Sequence, residues 1–263
     1  VTTALRLVPA AQRPIAALKA RRVQHDVMPW AVELLGPAGG RAGRALAHAV
    51  TAIAPALRVV QLARLTRFAV WTFLYDNVMD SSGAGQAELR ETEQTVQAVL
   101  AGEPPSGRVA TALAKVLAGL PSSPALLAAL ADDAAGSLEH ALLSRSGEHP
   151  SLVDYLAVAS RSIGYRGWAH ALLAVTRAEA GPELDAALGW ACQAVRLAND
   201  LRSADKDLAA GTLNALALPG ADRAALDAEI DRCARLHDEL AGSALLVNSL
   251  RVSVGIYRLG DLR

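Results

Sequence analysis

From Arg196 to Asp207 the chain reads R-L-A-N-D-L-R-S-A-D-K-D, and Asn199, Ser203 and Asp207 recur at every fourth position. That spacing puts three oxygen-bearing side chains on successive turns of one helix face. Amide, hydroxyl and carboxylate oxygens are the donors that a hard cation such as Mg2+ accepts, with its remaining positions left to water or phosphate. A solvated helix face carries the same kind of row, so the stripe alone leaves both readings open. What it does set is the class of the surrounding chain, because the alanine- and leucine-rich sequence on both sides continues the helical period.

Nowhere do four or more residues alternate cleanly between apolar and polar, as a half-buried strand would. The fold class is therefore all-α. Helices are expected over about 4–22, 26–36, 43–57, 59–80, 86–101, 107–119, 124–146, 151–178, 183–210, 221–241 and 243–259, separated by short Gly/Pro/Ser clusters such as G-P-A-G-G at 36–40 and G-E-P-P-S-G at 102–107. None of these separators is long enough for a domain linker and no fixed-period repeat is present. The expectation is one domain over residues 1–263, a bundle of about ten helices around a central cavity, with the segments near 58–80 and 183–210 as central helices.

Composition limits the function classes. The 26 basic and 26 acidic side chains cancel, and no concentrated Lys/Arg run marks a polyanion footprint, so a general nucleic-acid binder is not expected. Cys192 and Cys233 have no paired spacing suggesting a disulfide framework or a zinc site, which fits a reducing, cytoplasmic setting. No signal-peptide pattern and no uncharged apolar run of about 18 residues appears, so no membrane span is expected. His25, His48, His140, His149, His170 and His237 form no H-x-x-x-H or triad pattern and are read as structural or surface residues.

A second acidic site ends the first central segment, where W-T-F-L-Y-D-N-V-M-D places Asp76 and Asp80 one turn apart. Carboxylates there oppose the negative end of the helix macrodipole and repel each other. At about 4 Å and an effective dielectric near 20 the repulsion is roughly 4 kcal/mol, so a partly buried pair needs a cation or a proton. The chain has only ten aromatic residues, yet Phe68, Trp71, Phe73 and Tyr75 fall within eight positions just before Asp76. Tyr155, Tyr165, Trp168 and Trp190 lie in the segments leading to the second site. Ring faces carry negative quadrupole potential, so such a cluster is either core filler or the wall of a cavity that stabilises a cation away from water.

These residues together resemble the class I terpene synthases. Asp76 and Asp80 match the aspartate-rich D-D-x-x-D motif of that family, with Asn77 in its second position. Asn199, Asp200, Ser203 and Lys206 match N-D-x-x-S/T-x-x-K/R-E, with Asp207 where glutamate is usual. The run around Asn199 followed by G-T-L-N-A-L at 211–216 is most similar to bacterial, particularly actinobacterial, diterpene synthases of the labdane-related type, and to the α domain of plant enzymes. The resemblance implies a Mg2+-dependent cyclase, with three ions held by Asp76, Asp80, Asn199, Ser203 and Asp207. Its substrate would be an isoprenoid diphosphate, of C20 size, linear or made bicyclic by a separate class II diterpene cyclase. It assigns diphosphate contacts to Arg196 and Lys206.

Further positions follow the family less closely. The stretch Y-L-A-V-A-S-R-S-I-G-Y-R-G-W at 155–168 resembles a broken helix beside the diphosphate, with Gly164 and Gly167 weakening the helix and Arg161 as the favoured sensing arginine. Tyr257 and Arg258, in V-G-I-Y-R-L-G at 254–260, are similar in place to a terminal Arg-Tyr pair that binds diphosphate, in reversed order. A homodimer is compatible with the sequence. The alternatives are a prenyl transferase or squalene/phytoene-type condensing enzyme, which would normally carry a second aspartate-rich motif, and a non-catalytic helical module binding a hydrophobic ligand.

Overall fold

Twelve α-helices follow one another in the computed structural model, which describes residues 3–259. They are α1 (Thr3–Arg6), α2 (Arg13–Leu35), α3 (Gly39–Ile53), α4 (Val59–Met79), α5 (Gln86–Leu100), α6 (Gly107–Gly119), α7 (Pro124–Ser146), α8 (Leu152–Ala159), α9 (Tyr165–Thr176), α10 (Leu184–Ala210), α11 (Arg223–Leu240) and α12 (Ala244–Leu259). No strand occurs among the described residues. Local chemistry sets several starts: Ser123 accepts from the Leu126 N–H at 3.2 Å, Ser151 from Asp154 at 3.2 Å and Asp222 from Ala225 at 3.0 Å, each satisfying a first-turn donor.

Helix α4 is central because it buries more than one face. Leu62, Leu65, Phe68, Val70, Trp71 and Leu74 are all buried, and the helix packs against α2, α3, α6, α7 and α9. The long α10 packs on α8, α9, α11 and α12. Most buried apolar side chains form one cluster running from Ala4 to Ile256. No helix among the described residues is long and apolar enough to cross a membrane.

Two expectations from the sequence change. The helices expected at 4–22 and 26–36 divide elsewhere: α1 stops at Arg6, and α2 then runs unbroken from Arg13 past Pro29 to Leu35. A proline inside a helix removes one donor, but the seam Ala20, Val23, Val27, Ala31 and Leu34 stays fully packed across it, and tertiary burial outweighs that loss. The helical segment drawn over 151–178 is divided into α8 and α9, with the interruption inside the 155–168 stretch that resembles a broken helix. Gly164 sits in the left-handed region at φ +67°, where a side chain would be strained, and so turns the chain between them. Gly167 is helical, and its lack of a side chain serves a close approach: a Cβ there would stand 2.6 Å from Asp133 Oδ2.

Candidate active site

The end of α4 and the last turns of α10 come together on one cavity of about 350 Å3. Asp76 and Asp80 line it from α4, and Asn199, Ser203, Lys206 and Asp207 line it from α10. Two stretches separated by about 120 residues thus share one opening. Trp71, Phe73, Tyr75 and Gly164 also line the cavity, whereas Phe68, Tyr165 and Trp168 are buried but are not among its lining residues. Phe68 packs against Trp71 and Trp168 at ring-centroid distances of 6.1 and 6.4 Å, and Trp168 Nε1 donates to Ser249 Oγ at 2.9 Å. Phe68 and Trp168 thus stand behind Trp71. Trp71 stacks on Tyr75 at 5.7 Å, which fixes the aromatic surface of α4.

Arg196 also lines the cavity. Its Nη2 donates to Asp200 Oδ1 and its Nε to the Tyr155 hydroxyl at 3.1 Å. Tyr155 in turn donates to Asp200 Oδ2 at 2.8 Å, and the Ala215 N–H donates to the same oxygen at 3.2 Å. Burial alone would lower the Arg196 pKa, but Asp200, Tyr155 and, more distantly, Asp80 outweigh it and hold the guanidinium charged. Burial pushes Asp200 up against the pull of Arg196. With donors on both of its oxygens, Asp200 is best described as the ionised partner. A charged arginine is thereby fixed at the cavity wall by residues that need no substrate.

The other basic candidates separate. Lys206 and Tyr257 line the cavity, and so does Arg202. Arg161 is not among the lining residues. Its guanidinium pairs with Asp132 at 2.8 Å and Glu139 at 2.7 Å, while its neighbours Ser162, Ile163 and Gly164 reach the cavity. Arg258 is bound to Asp227 and Asp231, both at 2.8 Å, on α11. Asn77 faces a separate surface pocket with Leu74 and Glu88. Gly260, the last residue of the terminal stretch, lies outside the described residues.

Three further residues bear on the site. Asp133 on α7 lines the cavity; its Oδ2 accepts from the Gly167 N–H at 2.8 Å, in the first turn of α9, and its Oδ1 is buried without a hydrogen-bond partner. Burial pushes this carboxyl up to about 7, against the Gly167 hydrogen bond. Asn214, inside G-T-L-N-A-L, donates to Asp207 Oδ2 at 2.8 Å. Arg145 on α7 donates to the Ser81 carbonyl at 2.8 Å, just beyond α4.

The donor set fits a divalent hard cation. Among the described residues no three His, Cys, Asp or Glu side chains converge on a point. The oxygens divide into a carboxylate pair on α4 and an amide, hydroxyl and carboxylate row on α10. Neither set fills an octahedral shell by itself, so each leaves positions for phosphate oxygens and water, the way Mg2+ is usually held.

Comparison with known proteins agrees with this arrangement. The family model described as terpene synthase family 2, C-terminal metal binding, matches residues 67–219, a span that includes both acidic stretches. No curated protein sequence matches the chain. Among solved structures, linalool/nerolidol synthase from Streptomyces clavuligerus in complex with 2-fluorogeranyl diphosphate superposes with a TM-score of 0.69 at 18% identity, covering 91% of each chain. The SVS_A2 protein from ancestral sequence reconstruction gives 0.66 at 18% identity, covering 95% of this chain and 84% of its own. 2-Methylisoborneol synthase from Streptomyces coelicolor A3(2), in complex with Mg2+ and 2-fluoroneryl diphosphate, gives 0.63 at 16% identity, covering 91% and 89%. At these identities the structures speak for the fold.

Proposed function

Because this chain belongs to terpene synthase family 2 and carries its metal-binding region, we propose that it is a Mg2+-dependent class I terpene cyclase acting on an isoprenoid diphosphate. The observation that supports this most directly is the shared cavity, with both acidic stretches, Arg196 and an aromatic wall on one opening. Asp76 and Asp80 would hold ions from the α4 side, and Asn199, Ser203 and Asp207 from the α10 side, three ions in all. When bound, Mg2+ neutralises the diphosphate and makes it a leaving group, so no general acid is needed for ionisation.

The chain's own residues account for the rest. Arg196 offers a fixed guanidinium to phosphate oxygens, and Lys206, Arg202 and Tyr257 add donors at the same opening. The faces of Trp71, Phe73 and Tyr75 stabilise positive charge on the hydrocarbon, and the buried apolar residues behind them exclude water. The cation then cyclises or rearranges and ends by proton loss or by capture of water.

The sequence resemblance favours a C20 substrate, linear or of the bicyclic labdane type, the latter supplied by a class II cyclase. The cavity volume, at the small end of the range for ligand pockets, favours a shorter chain. Incubation with Mg2+ and C10, C15, C20 and copalyl-type diphosphates tests both, reading inorganic diphosphate and hydrocarbon products together. Cyclised product with diphosphate release supports the cyclase, and a longer diphosphate product indicates a prenyl transferase instead. A folded protein that turns over none of these substrates overturns the proposal.

A further inference from the structure

Asp207 stands where the family usually has glutamate, and its carboxylate is one methylene shorter. It is also the best-held member of its row. Asp207 is buried, and its Oδ2 accepts from Ser203 Oγ at 2.5 Å and from Asn214 Nδ2 at 2.8 Å. The Ser203 hydroxyl has a single proton and a second acceptor, the Asn199 carbonyl at 2.8 Å, so that bond can be exchanged. The bond from Asn214 does not compete in this way, because the amide has two hydrogens. Its other donation goes to the Asp200 carbonyl at 3.0 Å.

Asn214 is only 3% exposed, and its orientation is determined by its neighbours. Its Oδ1 accepts from the Leu216 N–H at 3.0 Å, while its nitrogen faces two oxygens. Flipping the amide would set N–H against N–H and oxygen against two oxygens. The side chain therefore links Asp207 to the backbone of Asp200, whose carboxylate holds Arg196.

We infer that Asn214 is a positioning residue for the α10 metal donors: by occupying Oδ2 of Asp207 it leaves Oδ1 to the ion and keeps the shorter side chain in register with Arg196. This inference rests on the metal-binding reading of the cavity. Removing the outer partner of a metal ligand typically costs about 10- to 100-fold in metal affinity.

The test uses the full chain and inorganic diphosphate, following the thermal unfolding midpoint as Mg2+ is raised. Asn214→Ser keeps an oxygen able to cap the 215–217 turn but is too short to reach Asp207; it should need at least about 10-fold more Mg2+ for the same stabilisation. In an Asp207→Ala background the serine change should add nothing to the Mg2+ requirement, since the two residues act as one unit. Leu213→Ala loosens the same segment without removing the bond and should leave the requirement near that of the unaltered protein. If the serine variant does not fold, Asn214→Thr also removes the amide donor without adding charge and carries the same expectation. An unchanged Mg2+ requirement, an equal shift in the Asp207→Ala background, or an equal shift in Leu213→Ala overturns the role of Asn214. An unaltered protein that shows no response to Mg2+ and diphosphate overturns the metal reading itself, and the inference with it.

Discussion

Arg145 Nη2 donates to the carbonyl of Ser81 at 2.8 Å, so a cation from α7 closes the negative end of the helix that carries Asp76. The same guanidinium is steadied by the Ala141 carbonyl at 2.7 Å, one turn earlier on its own helix. Next to it, Ser144 Oγ accepts from the Leu213 N–H at 3.3 Å. The last turn of α7 therefore touches the segments that follow both acidic helices. It also answers the electrostatic problem posed by two carboxylates at a helix C-terminus, because a positive charge there offsets the macrodipole.

Arg145→Ala should lower stability by about 1 kcal/mol and raise the Mg2+ needed for activity, whereas Arg145→Lys should keep part of both. Chemical denaturation and Mg2+ titration of diphosphate release measure the two effects. An Ala variant with an unchanged Mg2+ dependence would show that the α4 end holds its position without this contact.

Asp76→Ala and Asn199→Ala should each preserve the helical circular dichroism and reduce diphosphate release by roughly a hundredfold or more. Both side chains line the cavity, and neither belongs to the apolar core. Retained activity in both variants would remove the proposed metal donors.

Asp133 makes a prediction about pH. Its folded-state pKa is raised to about 7 by burial, above the ordinary value of 3.8, so between these values the folded chain binds the proton more tightly than the unfolded chain. Its contribution to stability is therefore largest below about pH 4, falls as pH rises towards about 7, and is flat above that. His140 acts in the opposite direction: burial depresses its pKa, so it favours the fold as pH rises through the usual histidine range. Asp132, Arg161, Arg166, Tyr75 and Cys192 provide the other titratable or charged surroundings. Asp133→Asn keeps an acceptor for the Gly167 N–H and abolishes the carboxyl titration. Its unfolding midpoint, relative to the unaltered protein, should rise between pH 5 and 8. A constant difference across that range would mean the carboxyl does not titrate there.

Gly136→Ala should be destabilising by about 1–3 kcal/mol, because the new Cβ would lie 2.4 Å from Arg161 Cβ and 2.9 Å from the Arg161 carbonyl carbon. Since Ser162 to Gly164 line the cavity, activity should fall more than thermal stability alone accounts for. Gly119→Ala, which meets nothing within 4 Å, is the neutral comparison.

Much of the fold was legible because its signals are local. Alanine- and leucine-rich periodicity marks α4 and α10, and the Gly/Pro/Ser clusters mark most of the gaps between helices. The acidic stretches could be recognised in the same way, since each sits within a few turns of one helix. The division of the first helices was not legible: α2 runs on from Arg13 to Leu35, where a break was expected near 22–26, because of a packed seam that the sequence does not display. Arg161 and Arg258 show the related limit for function. Both had plausible positions in the chain, yet their guanidinium groups are taken by carboxylates on other helices.

The sequence by itself determined the all-α class, the two polar and acidic rows and the aromatic run leading into the first, because helical spacing alone places such residues on shared faces. Only the tertiary structure decided that Asp76 and Asn199 share one opening, that Trp71, Phe73 and Tyr75 line the cavity while Phe68 supports them, and that Asp207 is held by Asn214. Those relations depend on how α4, α7, α9 and α10 are placed in the bundle, and that placement is fixed by burial of side chains summed over the whole core, a quantity that no single stretch of sequence contains.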